Sequence, residues 1–281
     1  MARRRQHSGA FDGPPVEEDR HFVTALARGL EVLACFRKGD ALLGNQEIAA
    51  RAGLPKSTVS RLTHTLTRLG YLHYVSDLGK YRLGTAILGI ASAMLGRMDL
   101  RRLARPLLRD LAAETRTVAA IGTRDRLSML YLELARGDSA ISLNLEVGSR
   151  ISLANSAMGR AYLACCDSAE REELMARFRE LDEVSWPRVK GGIEKAIADH
   201  RAHGVCTSFG DWQENVNAIA AGFRPGGGLP PMVINVGAPS FLVSPEFLMK
   251  EARPRLLQAI ARLENSMALG GAAIEAMGGN D

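Results

Sequence analysis

Between residues 46 and 69 two stretches of helical periodicity are separated by a glycine, and the longer stretch is split lengthwise into an oily half and a cationic half. In the short stretch, 46–52, Ile48, Ala49 and Ala52 fall on one side, and Asn45 is a residue type that caps a helix start. Gly53 supplies the permissive backbone that a tight turn needs. Pro55 suits the first position of the next helix. Stepping ~100° per residue along 55–69 puts Val59, Leu62, Leu66 and Leu69 on one stripe. Ser57, Arg61, His64 and Arg68 fall opposite, flanked by Lys56, Ser60 and Thr65. A short helix, a glycine turn and a longer helix with a polar, basic outer face is the helix-turn-helix plan, whose second helix enters the major groove of duplex DNA. A plain solvated helix carries the same charge pattern, so the flanking segments have to decide.

They point the same way. Upstream, Phe22, Val23, Leu26, Leu30, Leu33 and Ala34 recur at helical spacing, and Gly39-Asp40 closes that helix. Downstream, 71–75 reads as a strand, 76–80 as a turn and 81–83 as a return strand, which makes a wing. Lys80 and Arg82 on it are placed to meet phosphate. The expected DNA-contacting set is Gln46, Lys56, Ser57, Thr58, Ser60, Arg61, His64, Thr65, Arg68, Lys80 and Arg82. Charge is segregated accordingly. Residues 20–84 hold ten Lys and Arg against four Asp and Glu, residues 1–19 three against four, and residues 85–281 twenty-three of each. The net +5 of the chain therefore resides in its first third, as for a polyanion-binding module joined to a neutral one.

The remaining two thirds read differently. Residues 85–98 form an apolar-striped helix, with Ile87, Ala91, Met94 and Met98 spaced 4-3-4, long enough to link domains or pack on a partner helix. A second helix runs over 100–115 with Leu103, Leu107, Leu108 and Leu111 inward. Strands follow at 118–121, 127–134 and 141–145, then helices at 156–165, 169–181 and 191–203. Strands return at 205–209, 216–224 and 232–237, with a glycine-rich loop at 225–230, and a final helix spans 245–269. Segregated strands and helices predict an α+β domain around an antiparallel sheet. Residues 1–19 are expected to be a disordered arm and 270–281 a flexible tail.

Several segments resemble one known family. Glu47-Ile48-Ala49, Gly53-Leu54-Pro55-Lys56-Ser57-Thr58-Val59-Ser60-Arg61-Leu62, Leu69-Gly70-Tyr71 and Tyr81-Arg82-Leu83-Gly84 are similar to the DNA-binding half of the isocitrate lyase regulator (IclR) family. Gly148-Ser149-Arg150, Ser156-Ala157, Gly159-Arg160-Ala161, Leu163-Ala164 and Val236-Gly237-Ala238-Pro239 are similar to its C-terminal half. The likeness extends over about 23–263. It implies a two-domain α+β architecture: an N-terminal winged helix-turn-helix (20–84), a linker helix (85–98), and a C-terminal GAF-like, effector-binding domain with an antiparallel sheet (99–269). By position, the family's effector contacts fall on Ala157, Met158, Ser208, Ala218, Asn235 and Gly237. To these we add Asn155 and Ser156 at the start of the 156–165 helix, whose free N–H groups and dipole suit a carboxylate. Leu132, Leu145 and Leu153 are expected as apolar walls, and a buried Asn235 would need partners. The implied partners are a double-stranded, partly palindromic DNA operator, a small organic acid, possibly an aromatic one, and a second copy of the chain, as a homodimer or a dimer of dimers.

Other classes find little support. No apolar run approaches the ~20 residues of a membrane span, and the basic start is not followed by an apolar signal core, so a cytoplasmic protein with no membrane partner is expected. Cys35, Cys165, Cys166 and Cys206 have no ligand-like spacing. His200 and His203 lack a third ligand nearby, and Gly226-Gly227-Gly228 lacks the following Lys-Ser/Thr of a phosphate loop. No metal, cofactor or catalytic set is expected. The residues alone leave two other readings open: a DNA-binding protein whose larger domain only oligomerises or contacts proteins, and an enzyme with a nucleic-acid anchor.

Overall fold

Val32, Ile48, Val59 and Leu72 come from four separate segments, yet meet with at most 2% exposure each. They are the core of the first of two units, residues 1–97 and 98–281, in the computed structural model, which describes residues 21–37, 39–96, 99–138, 144–226 and 229–278. The expected arm 1–19, residues 141–143 of an expected strand and residues 227–228 of the expected loop lie outside the described residues.

The first unit runs α1 (Thr24–Ala34), β1 (Leu43–Gly44), α2 (Asn45–Ala52), α3 (Lys56–Arg68), β2 (Leu72–Val75), β3 (Lys80–Leu83) and α4 (Thr85–Gly96). Gly53 ends α2 in the left-handed region at φ +65°, which turns the chain into α3. β2 and β3 pair antiparallel around a 3-10 turn, Ser76–Leu78, and Tyr74 lies against Tyr81 with ring centroids 4.9 Å apart. β1, not foreseen from sequence, adds a third strand beside β3.

Three sequence expectations change here. Asn45 does not cap α2. Gly44 holds the cap position, with Glu47 Oε2 accepting its N–H at 2.8 Å, while Asn45 Oδ1 accepts from Thr63 Oγ1 at 3.2 Å and ties α2 to α3. Leu69 is 61% exposed, because ten residues at ~100° leave it roughly 80° off the Val59 direction. Thr63 takes the inward place instead, with its Oγ1 3.0 Å from Val59 O. On α1 the buried side centres on Val32, and Val23, Leu26 and Leu30 stand exposed.

The second unit is built on a six-stranded antiparallel sheet, in the order β6-β5-β4-β9-β8-β7. Its strands are β4 (Val118–Asp125), β5 (Ser128–Arg136), β6 (Arg150–Ser152), β7 (Cys206–Phe209), β8 (Val216–Phe223) and β9 (Met232–Pro239). The period of two sends alternate residues to opposite faces. Ala119, Ile121, Ile219, Ala221, Ile234 and Val236 meet α5 (Asp99–Thr115) and α10 (Arg253–Gly278) on one face. Ala120, Met129, Tyr131, Ala220 and Val233 meet α6 (Ala157–Cys165), α7 (Ser168–Leu181) and α8 (Trp186–His203) on the other. Squeezed between sheet and helices, α6 is buried from Ala157 through Leu163.

Several boundaries move. Residues 144–145 are not strand, and the edge position beside β5 is taken by β6. Helix α8 starts five residues before the expected 191, since Pro187 is acceptable in a first turn and its periodicity continues through Trp186 and Val189. The final helix is not one piece: α9 (Pro245–Phe247) and a π turn, Leu248–Ala252, precede α10. α10 continues to Gly278, so residues 270–278, expected to be loose, are helical; Ala272, Ala273, Glu275, Ala276 and Met277 are strong helix formers.

Candidate functional site: a nucleic-acid interface and a ligand pocket

Helix α3 presents two different surfaces. Val59 and Thr63 are fully buried and Leu62 and Leu66 partly so, whereas Lys56, Ser57, Ser60, Arg61, His64, Thr65 and Arg68 are exposed. Lys56, Arg61, His64 and Arg68 have no hydrogen-bond or ion-pair partner among the described residues, which leaves their donors for an external acceptor. Thr65 is less available, since its hydroxyl is donated to Arg61 O at 3.0 Å. Thr58 is half-buried and Gln46 on α2 is exposed. On the wing, Arg82 is exposed, but Lys80 Nζ lies 3.4 Å from Glu47 Oε2, so its charge is partly engaged. Helix α2 is tied to the end of α1 by Arg51, which ion-pairs with Asp40 through both terminal nitrogens and donates to Cys35 O at 2.9 Å. The Arg51 guanidinium holds the Asp40 carboxyl down at about 2, helped by the Arg37 N–H.

In the second unit a cavity opens between the sheet and the amino end of α6. Its walls include Val118, Tyr131, Ile151, Trp212 and Val216, with Ser156, Ala157, Met158, Ser208, Ala218, Asn235, Gly237 and Leu145 from the expected set. Three expected residues lie elsewhere. Leu132 packs in the core on the opposite face, because it neighbours Tyr131 on β5 and the strand alternates. Leu153 is fully buried beneath α6, where its carbonyl would be 2.0 Å from a Cβ on Gly159, and it does not line the cavity. Asn155 contributes only its carbonyl, which accepts from Ser208 Oγ at 2.9 Å and joins β7 to the start of α6.

A census of polar groups narrows what the cavity offers. Ser156 Oγ accepts from Gly159 N–H at 3.0 Å and donates to Ser152 O at 2.6 Å, so that hydroxyl is spent on capping α6. Arg160 N–H bonds Ser156 O. The N–H groups of Ala157 and Met158 then remain without partners among the described residues, the usual orphans of a helix start. Asn235 is 7% exposed and its Oδ1 has no hydrogen-bond partner among the described residues, and burial pushes the Tyr131 phenol up. Buried Arg160 ties the loop carrying Trp212 to the sheet, donating from Nη1 to Thr207 O at 2.9 Å and to Asp211 Oδ2 at 2.7 Å. About 20 Å³ of the cavity is open to a water-sized sphere, roughly one water's worth, so an organic ligand requires the walls to widen. Val118, Tyr131, Ile151 and Val216 were recoverable from strand alternation once registers were known. Trp212, on a loop, left no periodic signal.

Among the described residues no group of three or more His, Cys, Asp and Glu is arranged to hold a metal ion. Burial pushes the Cys165 and Cys166 thiols up to about 12 and about 11. No described helix is long and apolar enough to cross a membrane.

Residues 25–76 match the IclR helix-turn-helix domain, and residues 92–262 match the bacterial transcriptional regulator IclR C-terminal domain. The chain is 33% identical over 253 residues, 89% of its length and 91% of the relative's, to the HTH-type transcriptional regulator TsaQ1/TsaQ2 of Comamonas testosteroni. It is 42% identical to an IclR family transcriptional regulator from Brucella abortus of solved structure, with a TM-score of 0.79 over 90% of this chain and 96% of that one. An IclR homologue from Microbacterium hydrocarbonoxydans, solved in complex with 4-hydroxybenzoate, shares the fold at 22% identity and a TM-score of 0.69, covering 88% of this chain and all of that one.

Proposed function

This chain belongs to the IclR family of transcriptional regulators and carries its DNA-binding helix-turn-helix; from that premise we propose that it grips a partly palindromic operator as a homodimer or a dimer of dimers, and that a small organic acid controls the grip. The observation that carries the DNA half is the exposed, unpaired cationic face of α3, with Lys56, Arg61, His64 and Arg68 set opposite buried Val59 and Thr63. Arg61 and its neighbours reach base edges and nearby phosphates, while Gln46, Arg82 and the partly engaged Lys80 bind backbone phosphate and set orientation. Ser57, Thr58, Ser60 and Thr65 supply shorter polar contacts along the same groove. Self-association is supported by the large exposed apolar side chains of α1, Val23, Leu26 and Leu30, each more than half exposed.

The effector half rests on the cavity. The acid's carboxylate meets the free N–H groups of Ala157 and Met158, where the helix dipole favours negative charge. Tyr131, Leu145, Ile151, Trp212 and Val216 wrap its apolar body. Binding biases the relative arrangement of two recognition helices through the 85–98 segment, which requires unequal effector affinity for the two arrangements. The protein acts by binding in the cytoplasm, without turnover. Selection from random duplexes tests the reading: it requires enrichment of a site with two-fold symmetry. Titration of that site must then show weaker binding by Arg61→Ala and a response to at least one small carboxylic acid. No enriched site means the reading is wrong.

A further inference from the structure

With room for about one water, the cavity admits an organic acid only if one of its walls moves. All the residues that line it are buried except Trp212 and Ala218, which are partly exposed. Ala218 is fixed in the sheet, where β8 pairs it with Ser208 of β7 and Gly237 of β9. Trp212 belongs to the 210–215 loop between β7 and β8, whose base is closed by the Gly210 N–H donated to Val216 O at 2.9 Å. It faces the cavity and solvent at once, and it is the wall that can leave without unpairing a strand.

One ion pair holds that loop down. Asp211, the residue before Trp212, accepts from Arg160 Nη1 at 2.7 Å, and no other side chain of 211–215 has a hydrogen-bond or ion-pair partner among the described residues. The two ends of the pair are unequal. Arg160 is 5% exposed, also donates to Thr207 O, and lies so close to α8 that a Cβ on Gly192 would come within 2.5 Å of its Nη2. The Asp211 side chain is 49% exposed. The guanidinium is boxed in and cannot follow the loop, whereas the carboxylate can exchange it for water. Opening leaves a buried cation short of its counter-charge, so it is costly and infrequent.

Resting on the pocket reading above, we propose that the 210–215 loop is the gate of the cavity, with Trp212 as its lid and the Asp211–Arg160 ion pair as its latch. The latch closes over the empty and the occupied cavity alike. It therefore sets how fast an acid enters and leaves, and contributes little to how tightly the acid is held. Arg160, which does not line the cavity, is a positioning residue that acts through Asp211.

Trp212 reports its own motion once Trp186, the other of the chain's two tryptophans, is replaced by phenylalanine. In the full-length Trp186→Phe protein without ligand, Asp211→Ala should open Trp212 to quenching by acrylamide. Stopped-flow mixing with benzoate, 4-hydroxybenzoate and butanoate, followed by Trp212 fluorescence, then reads the gate. For each acid that binds, Asp211→Ala should speed association and dissociation together by about 10-fold, with Kd changed by less than about 3-fold. Asp211→Asn, which keeps an acceptor but no charge, should move quenching and rates the same way by less, and it carries the test if Asp211→Ala does not fold. Unchanged quenching, unchanged rates, or a faster dissociation alone that weakens Kd in step overturns the gate and leaves the pocket reading intact. Failure of all three acids to bind the unaltered protein in calorimetric titration overturns the pocket reading and the gate together.

Discussion

Arg61 separates the two jobs a residue can do on a recognition helix. It is exposed and has no partner within the described residues, so its removal leaves nothing buried and unpaired. Arg61→Ala should therefore change folding stability by no more than about 0.5 kcal/mol, yet weaken binding to the selected operator by about 1–3 kcal/mol with relaxed base preference at one position. Thermal unfolding and gel-shift titration read the two quantities apart, and a loss spread evenly over all DNA sequences would reassign Arg61 to phosphate. Asp40 does the opposite job. Its carboxyl, held at about 2 by Arg51, pins the turn after α1 to α2. A depressed carboxyl pKa contributes stability above the unfolded value of about 3.9, and that contribution is lost as pH falls through the folded value. Asp40→Asn should lower the melting temperature at pH 7, and the gap to the unaltered protein should close between about pH 4 and pH 2. A gap that does not narrow across that range would remove the ion pair from the account of the first unit.

At the scale of elements, α6 shows how a pocket depends on close approach. A Cβ on Gly159 would lie 2.0 Å from Leu153 O, a backbone atom with no rotamer to escape into. Gly159→Ala should push the amino end of α6 away from β6, costing about 3 kcal/mol in urea unfolding and abolishing acid binding while operator binding persists in the folded fraction. The wing carries a milder device. Glu47 caps α2 through Gly44 and also neutralises Lys80 at 3.4 Å. Glu47→Gln keeps an acceptor for the cap but releases the lysine, so non-specific DNA affinity should rise and the salt dependence steepen by up to about one phosphate contact. Elements with strong local signals were legible from the residues alone: α3, the β2–β3 hairpin and the strands β8 and β9. What stayed illegible was decided by neighbours. Leu26 and Leu30 follow the helical period as faithfully as any core residue, but none of the described residues of the first unit covers them. Leu132 looks like a pocket wall until β5 is placed in its sheet. The edge strand β6 has three residues, too few for any period to register.

Over the whole molecule the governing fact is where charge resides. The net +5 is confined to residues 1–84, +6 over 20–84 and −1 over 1–19, and residues 85–281 balance twenty-three cations with twenty-three anions. Cations of the second unit pair with anions four residues away, as Arg179 with Glu183 and Lys190 with Glu194. Such exposed pairs add little to stability, but they leave no net field to draw in a polyanion. The division places the long-range attraction for a polyanion in the first unit, where it is sensitive to salt. Each phosphate neutralised contributes about 0.9 to the slope of log affinity against log salt. Replacing both Arg179 and Lys190 with Gln should therefore leave that slope where it was, whereas Arg82→Gln on the wing should flatten it by about 1. A slope that responds to the Arg179 and Lys190 changes would put DNA against the second unit. The separation of a cationic reader from a neutral sensor would then have to be abandoned.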